Sequence, residues 1–331
     1  MASPAFDVVG IGNAIVDVIT TADEAFLGRE SLAKGSMTLI DAARAAALYQ
    51  GMGPATESSG GSAGNTMAGI ASLGGSGAFI GKVRDDQLGQ VFRHDITAVG
   101  VQFATPAATI GADTARCLIL VTEDGQRTMA TYLGACVELG PEDVDPALVA
   151  AAEVTYLEGY LFDPPRAKEA FYRAAAIAHD AGKRIALSLS DPFCVGRHRE
   201  SFRDLVAGEV DILFANEAEI CALYETDDFD RAAEAVRGQV AIAALTRSAA
   251  GSVILADGEM HRVAAAPVAR VVDTTGAGDL YAAGFLFGLT HGRPLPICGA
   301  IGSLCAAEII SHVGARPAVE LRGLIKAAGL A

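Results

Sequence analysis

The sequence predicts an α/β fold in which helices bury both faces of a mostly parallel central sheet and a small group of strands stands outside it. Two observations carry this. Short apolar runs bounded by Gly, Pro or Asp alternate with Ala-rich stretches of helical period, which is the pattern of parallel strands joined by crossover helices. A chain of 331 residues that is 51% hydrophobic can also supply apolar cover for each face of such a sheet.

The clearest strand and helix pairs are Val154–Leu157 with Pro164–Ala181, Arg184–Leu189 with Gly196–Val206, and Ile212–Phe214 with Asn216–Tyr224. Two stretches, Val16–Ile40 and Thr105–Leu133, break the alternation. The second holds a hairpin signal, Glu123-Asp124-Gly125-Gln126, between Thr114–Thr122 and Arg127–Leu133. Both are read as strands that leave the main sheet to form a small β lid. Residues 1–12, 41–104 and 134–331 are then the large α/β domain, and 13–40 and 105–133 the lid. No repeat, charged tail or low-complexity linker occurs, so the lid is inserted into the domain and not appended to it. After Ile242–Leu245 a second hairpin around Asp257-Gly258 leads to Val268–Val272, and from Gly276 to Ala328 the chain is nearly all helical.

The formal charge is −15 with no run of Lys or Arg, which argues against nucleic-acid binding through a basic face. An anionic ligand needs a local electropositive pocket instead. The segment MASPAFDVVGIGN lacks a basic leader pattern, and no apolar run is long enough to span a bilayer, so the expectation is a cytoplasmic protein with no membrane partner. The six cysteines form no C-x-x-C pair and are read as reduced core thiols, while the six scattered histidines offer no zinc spacing.

The sharpest chemical signal is Asp273-Thr274-Thr275-Gly276-Ala277-Gly278-Asp279, directly before the apolar helical stretch Leu280–Leu289. Small residues let a backbone approach a ligand closely, and amides at a helix start favour negative charge, so Gly276, Ala277 and Gly278 read as an anion hole. Asp279, in the first turn, could accept a proton from an attacking hydroxyl. The plainer alternative is a tight turn with an acidic helix start. Gly10-Ile11-Gly12-Asn13-Ala14-Ile15 lacks the third glycine of a dinucleotide fingerprint, and the phosphate-loop lysine motif is absent.

Asp273–Asp279, continued by Ala282-Ala283-Gly284-Phe285, resembles the C-terminal signature of the ribokinase-like (PfkB) carbohydrate kinases. A second signature, Gly60-Gly61-Ser62-Ala63-Gly64-Asn65 followed by Gly81–Gly89, stands in the family's order. Similarity extends from Val8 to about Pro317. The resemblance implies a three-layer α/β/α sandwich with a β lid, an ATP-dependent kinase activity, and a sugar or nucleoside acceptor. It further implies that Asn13, Asp17, Gly60, Gly61 and Asn65 contact the sugar, that Asp279 is the base, and that Arg127 reaches the transferring phosphoryl group. A solvated strand-end charge is the alternative for Arg127.

The same resemblance puts ATP near Asn216, Thr246, Gly251 and Gly278. It gives Asn216 and Glu219 to Mg2+, largely through water, and Asp273 and Thr275, with the stretch near Gly314, to a monovalent cation such as K+. Asn216 and Glu219 equally form a capping-box pattern, and both roles can hold together. Leu187–Phe193, Tyr156–Tyr160 and Val210–Glu219 resemble the adenosine kinase branch, in which Leu133, Tyr160 and Phe193 would hold a nucleobase. Core packing is the alternative for the two aromatics. Glu158, Asp191 and Tyr132 depart from that branch, which leaves a free sugar or another nucleoside open as substrate. A non-catalytic sugar- or nucleoside-binding regulator is the reading from a different class. Members of the branch tend to be monomers, whereas relatives that pair do so through lid strands.

Overall fold

The computed structural model describes residues 5–330; residues 1–4 and 331, assigned from sequence to the large domain, lie outside the described residues. The main sheet has nine strands, in the order Glu259–Val263, Ser252–Ala256, Ile242–Thr246, Ile212–Asn216, Arg184–Ser188, Ala152–Glu158, Phe6–Ile11, Gly77–Ile80 and Gln102–Phe103. The seven from Ile242–Thr246 onward are mutually parallel, and the Asp257-Gly258 hairpin adds two antiparallel strands at one edge.

Alternate residues along the strands enter opposite cores. Val9, Leu157 and Leu213 pack beneath one layer of helices, and Val8, Tyr156 and Phe214 beneath the other. This follows from the two-residue side-chain period of a strand covered on both faces. The three-layer expectation is met.

A second sheet has five strands, in the order Met37–Leu39, Arg127–Tyr132, Ala115–Val121, Ile15–Thr21 and Thr56–Ser59. The hairpin at residues 123–126 joins its second and third strands, as the sequence predicts. Thr56–Ser59, read from sequence as part of the large domain, pairs antiparallel with Val16–Ile19. This polar run, Thr-Glu-Ser-Ser, carries no apolar alternation, so only its partner strand reveals it as a strand. A further difference concerns Val268–Val272, which has no regular structure: the hairpin closes instead as Ser252–Ala256 with Glu259–Val263.

The helices that carry the site touch through small residues. A Cβ on Gly69 would stand 2.6 Å from the Ala283 Cβ, and one on Gly284 would stand 2.7 Å from the Gly302 Cα. Those contacts bring the Ser62–Ser72 helix against the Ala277–Thr290 helix, and that in turn against Leu295–Ile309. The start of the first helix thereby lies beside the start of the second.

Candidate active site

Gly276 caps the Ala277–Thr290 helix in the left-handed region, with φ 79° and ψ 0°. It is a position suited to glycine, and Ala315 stands only 3.1 Å from where a side chain would begin. No side chain caps the helix, so its first amides depend on backbone or ligand. The Ala277 amide turns back to the Thr274 carbonyl at 3.2 Å, and the Gly276 and Gly278 amides have no backbone partner among the described residues. The expected three-amide hole is therefore narrower, because one amide is spent on the turn that builds it.

Asp279 is held from the other helix. The Ser62 hydroxyl donates to Oδ1 at 2.6 Å and the Asn65 side-chain amide donates to Oδ2 at 2.9 Å. Burial raises its carboxyl above the ordinary aspartate value, opposed by those two donors and by the charge of Arg316. Among the described residues the buried Asn65 carbonyl oxygen has no partner, and it stands as an unspent acceptor beside the carboxylate.

Asp17 reaches the same place from the lid. A Cβ on Gly60 would lie 2.5 Å from the Asp17 carboxyl carbon, so the glycine backbone and the carboxylate are in direct contact. Burial pushes Asp17 up to about 6, against the pull of Arg316 and Arg127. Gly61 brings the turn against the Asn13 backbone. The structure thus gathers Asn13, Asp17, Gly60, Gly61, Asn65 and Asp279 from three distant parts of the chain.

Glu158, marked in the sequence only as an unexpected residue, is the tie among them. It is 1% exposed. It accepts from the Asn13 side chain at 2.7 Å, the Asn13 amide at 3.3 Å and the Ala63 amide at 2.8 Å. Donating its NH2 to Glu158 turns the Asn13 carbonyl oxygen away from the carboxylate, so Asn13 offers an acceptor. Burial pushes Glu158 up to about 7 from an ordinary 4.5, while the Ala63 and Asn13 donors pull it down.

The native state therefore holds this proton up to near neutrality and the unfolded chain releases it near 4.5. Stability from this group is full at acid pH and falls as pH rises between those values, by up to about 1.4 kcal/mol per pH unit. Glu158→Gln is expected to flatten the decline in melting midpoint as pH rises from 4.5 to about 7. An unchanged slope would remove Glu158 as the source.

Arg127 starts a lid strand, and its Nη2 stands 2.8 Å from Oδ2 of Asp273 with both side chains buried. The two are close but poorly aligned, and among the described residues Nε and Nη2 of Arg127 find no hydrogen-bond acceptor. A solvated strand-end charge does not describe this arginine. Asp273 also accepts from the Thr275 amide and hydroxyl and from the Gly314 amide. With its oxygens committed and a guanidinium against it, the Asp273 carboxylate does not suit a monovalent cation such as K+.

Asn216 and Glu219 form the reciprocal cap: the Asn216 side chain accepts from the Glu219 amide at 2.9 Å, and Glu219 accepts from the Asn216 amide and side chain at 2.8 and 2.6 Å. Each Glu219 oxygen keeps a free lone pair, which fits a water-bridged Mg2+ better than direct ligation. Asn216 and Thr246 line a hollow of about 760 Å³ with Glu217, Cys221, Arg247 and Ser248. Gly251 does not line it. Its φ of 83° and the Val263 carbonyl, 2.0 Å from where a Cβ would be, explain the glycine as a requirement of the turn into Ser252–Ala256.

Leu133 ends the lid hairpin, half-buried. Tyr160 is 40% exposed and Phe193 is 77% exposed, so core packing does not account for either ring. Asp191 caps the helix that begins at Pro192, accepting from the Phe193 and Cys194 amides. Sequence reasoning missed Ser62 and Arg316. Ser62 lies inside the Gly60–Asn65 signature, and Arg316 is a lone cation two residues after Gly314.

A carboxylate seated at a glycine-rich helix start and faced by polar groups of a β lid is suited to taking a proton from an alcohol, and fold and site together define a phosphotransferase acting on a hydroxyl group. The chain belongs to the PfkB family: the model for "pfkB family carbohydrate kinase" matches residues 45–322. The crystal structure of an adenosine kinase from Sinorhizobium meliloti is 56% identical, with a TM-score of 0.91, over 98% of this chain and 99% of that one. A structure of a probable sugar kinase from Rhizobium etli is 53% identical, with a TM-score of 0.93, over 99% and 100%. Adenosine kinase 1 of Arabidopsis thaliana is 26% identical over 95% of this chain and 97% of its own length.

Proposed function

We propose that this chain transfers the γ-phosphoryl group of ATP to the 5′-hydroxyl of adenosine. The observation that carries the reading is the seating of Asp279 between Ser62 and Asn65 at the helix start. The similarity to the Sinorhizobium meliloti adenosine kinase supports the choice of acceptor. Asp17 and Asn13 accept hydrogen bonds from the ribose hydroxyls, and Asn65 orients the group beside Asp279. Asp279 takes the proton as the hydroxyl attacks in line. The Gly276 and Gly278 amides, with the Arg127 guanidinium, steady the charge on the moving phosphoryl group.

ATP enters from the hollow beside Asn216 and Thr246. Magnesium, held mainly by the nucleotide's own phosphates with Glu219 acting through water, would supply charge neutralisation. The small sheet serves as a lid that excludes water, and Tyr160, Phe193 and Leu133 contact the base. A flat base stacked on an aromatic face gains about 1–3 kcal/mol. A kinase of a free sugar is the second reading, favoured by the similarity to the probable sugar kinase of Rhizobium etli.

The test is acceptor-dependent ADP release from ATP with adenosine, inosine, guanosine, ribose and fructose. The highest kcat/KM is expected with adenosine. A free sugar ahead of every nucleoside would establish the second reading, and no release with any acceptor would favour a binding protein.

A further inference from the structure

We propose that Arg316 is a positioning residue for phosphoryl transfer. It clamps the turn between Ser59 and Gly64 so that Ser62 and Asn65 aim the Asp279 carboxylate at the acceptor, and it sets a fixed positive charge behind Asp17 and Asp279. The inference rests on the kinase reading above and deepens it.

Arg316 lies in the irregular segment between the helices Leu295–Ile309 and Leu321–Ala327. Its guanidinium is spread over one short piece of chain. Nε donates to the Ser59 carbonyl at 3.1 Å, and Nη2 donates to the same carbonyl at 2.7 Å and to the Ser59 hydroxyl at 2.8 Å. Nη1 donates to the Gly64 carbonyl at 2.7 Å. Ser59 ends the lid strand Thr56–Ser59, and Gly64 lies between the two residues that grip Asp279. The clamped turn is therefore the one that carries the grip. Asp95 secures it from another helix, accepting from the Ser59 amide and hydroxyl at 2.7 and 2.6 Å.

The same loop braces the opposite wall. The Gly314 amide donates to Asp273 at 3.0 Å, and Ala315 packs against Gly276. One loop thus holds both the Asp279 grip and the glycine turn of the anion hole at a set separation. A rigid planar fork suits this task, because its N–H groups point at two carbonyls in fixed directions, whereas an ammonium would reach one.

The charge is also left unspent. Among the described residues Arg316 makes no direct ion pair; its partners are carbonyls and a hydroxyl. The carboxylates that feel it are Asp95, Asp17 and Asp279, and it pulls the last two down toward their ionised forms. A base that must start ionised gains from a buried cation that does not itself bind it.

The experiment compares full-length wild type, Arg316→Met and Arg316→Lys, using whichever acceptor the wild type phosphorylates best. A wild type that turns over no acceptor sinks the kinase reading, not the role of Arg316. For Arg316→Met, kcat is expected to fall about 100-fold while KM for ATP stays within about twofold and the melting midpoint within a few degrees. Arg316→Lys should recover part of that kcat loss. An unchanged kcat overturns the proposal, as does a loss that also appears in the KM for ATP and the melting midpoint. Should Arg316→Met fail to fold, Arg316→Lys carries the test: a roughly tenfold kcat loss at an unchanged midpoint supports the positioning role, and wild-type kcat overturns it.

Discussion

Asp279→Asn is expected to keep its affinity for nucleotide and to lose turnover by roughly 10²–10⁴-fold, the span associated with a positioned general base. The substitution preserves size, so the Ala277–Thr290 helix and the Gly276 turn should be undisturbed. What changes is chemistry. An amide cannot take the hydroxyl's proton, and its NH2 cannot accept the donors from Ser62 and Asn65 that now face both carboxylate oxygens. Single-turnover phosphorylation, read alongside calorimetric ADP binding, separates the two effects. Near-normal turnover would remove Asp279 as the base and with it the mechanism proposed here.

Gly61→Ala should cost a large part of the protein's stability, on the order of 4 kcal/mol or more. Gly61 has φ 81° and ψ 142°, a conformation that residues with a side chain rarely adopt. A Cβ there would stand 2.1 Å from the Asn13 carbonyl oxygen, a backbone atom that cannot turn aside. To relieve it, the Asn13 turn must leave the Ser62–Ser72 helix, breaking the Glu158 tie on the way. Urea unfolding of the wild type, Gly61→Ala and Gly278→Ala provides the measure. Gly278 has open space where its Cβ would be, so that variant should unfold near the wild-type midpoint. A Gly61→Ala protein within about 1 kcal/mol of the wild type would show that the turn is not held as described.

Asp279 and Gly61 both belong to motifs visible in the linear sequence. The Gly60–Asn65 and Asp273–Asp279 segments announce themselves because glycine spacing and a following apolar helix are local properties. Asn216 with Glu219 is legible for the same reason, being a contact of three residues' span that the structure reproduces in both directions. Thr56–Ser59 gives no such sign, since a short polar strand is defined by its neighbour Val16–Ile19 and not by its own pattern. Arg127 is legible as a cation near the site, yet its pairing with Asp273 depends on how the lid seats on the main domain.

The residues that tie the site together were the least visible. Glu158 joins Asn13 to Ala63, and Arg316 joins Ser59 and Gly64 to the C-terminal loop, each across a long separation in the chain. By itself the sequence determined the alternation of strand and helix, the glycine turns and the carboxylate poised at a helix start, because backbone preference and side-chain period act over a few residues. Only the tertiary structure decided which donors hold that carboxylate and which buried charges surround it. Those depend on helices meeting at Gly69 and Ala283, a contact created by packing and encoded at neither position alone.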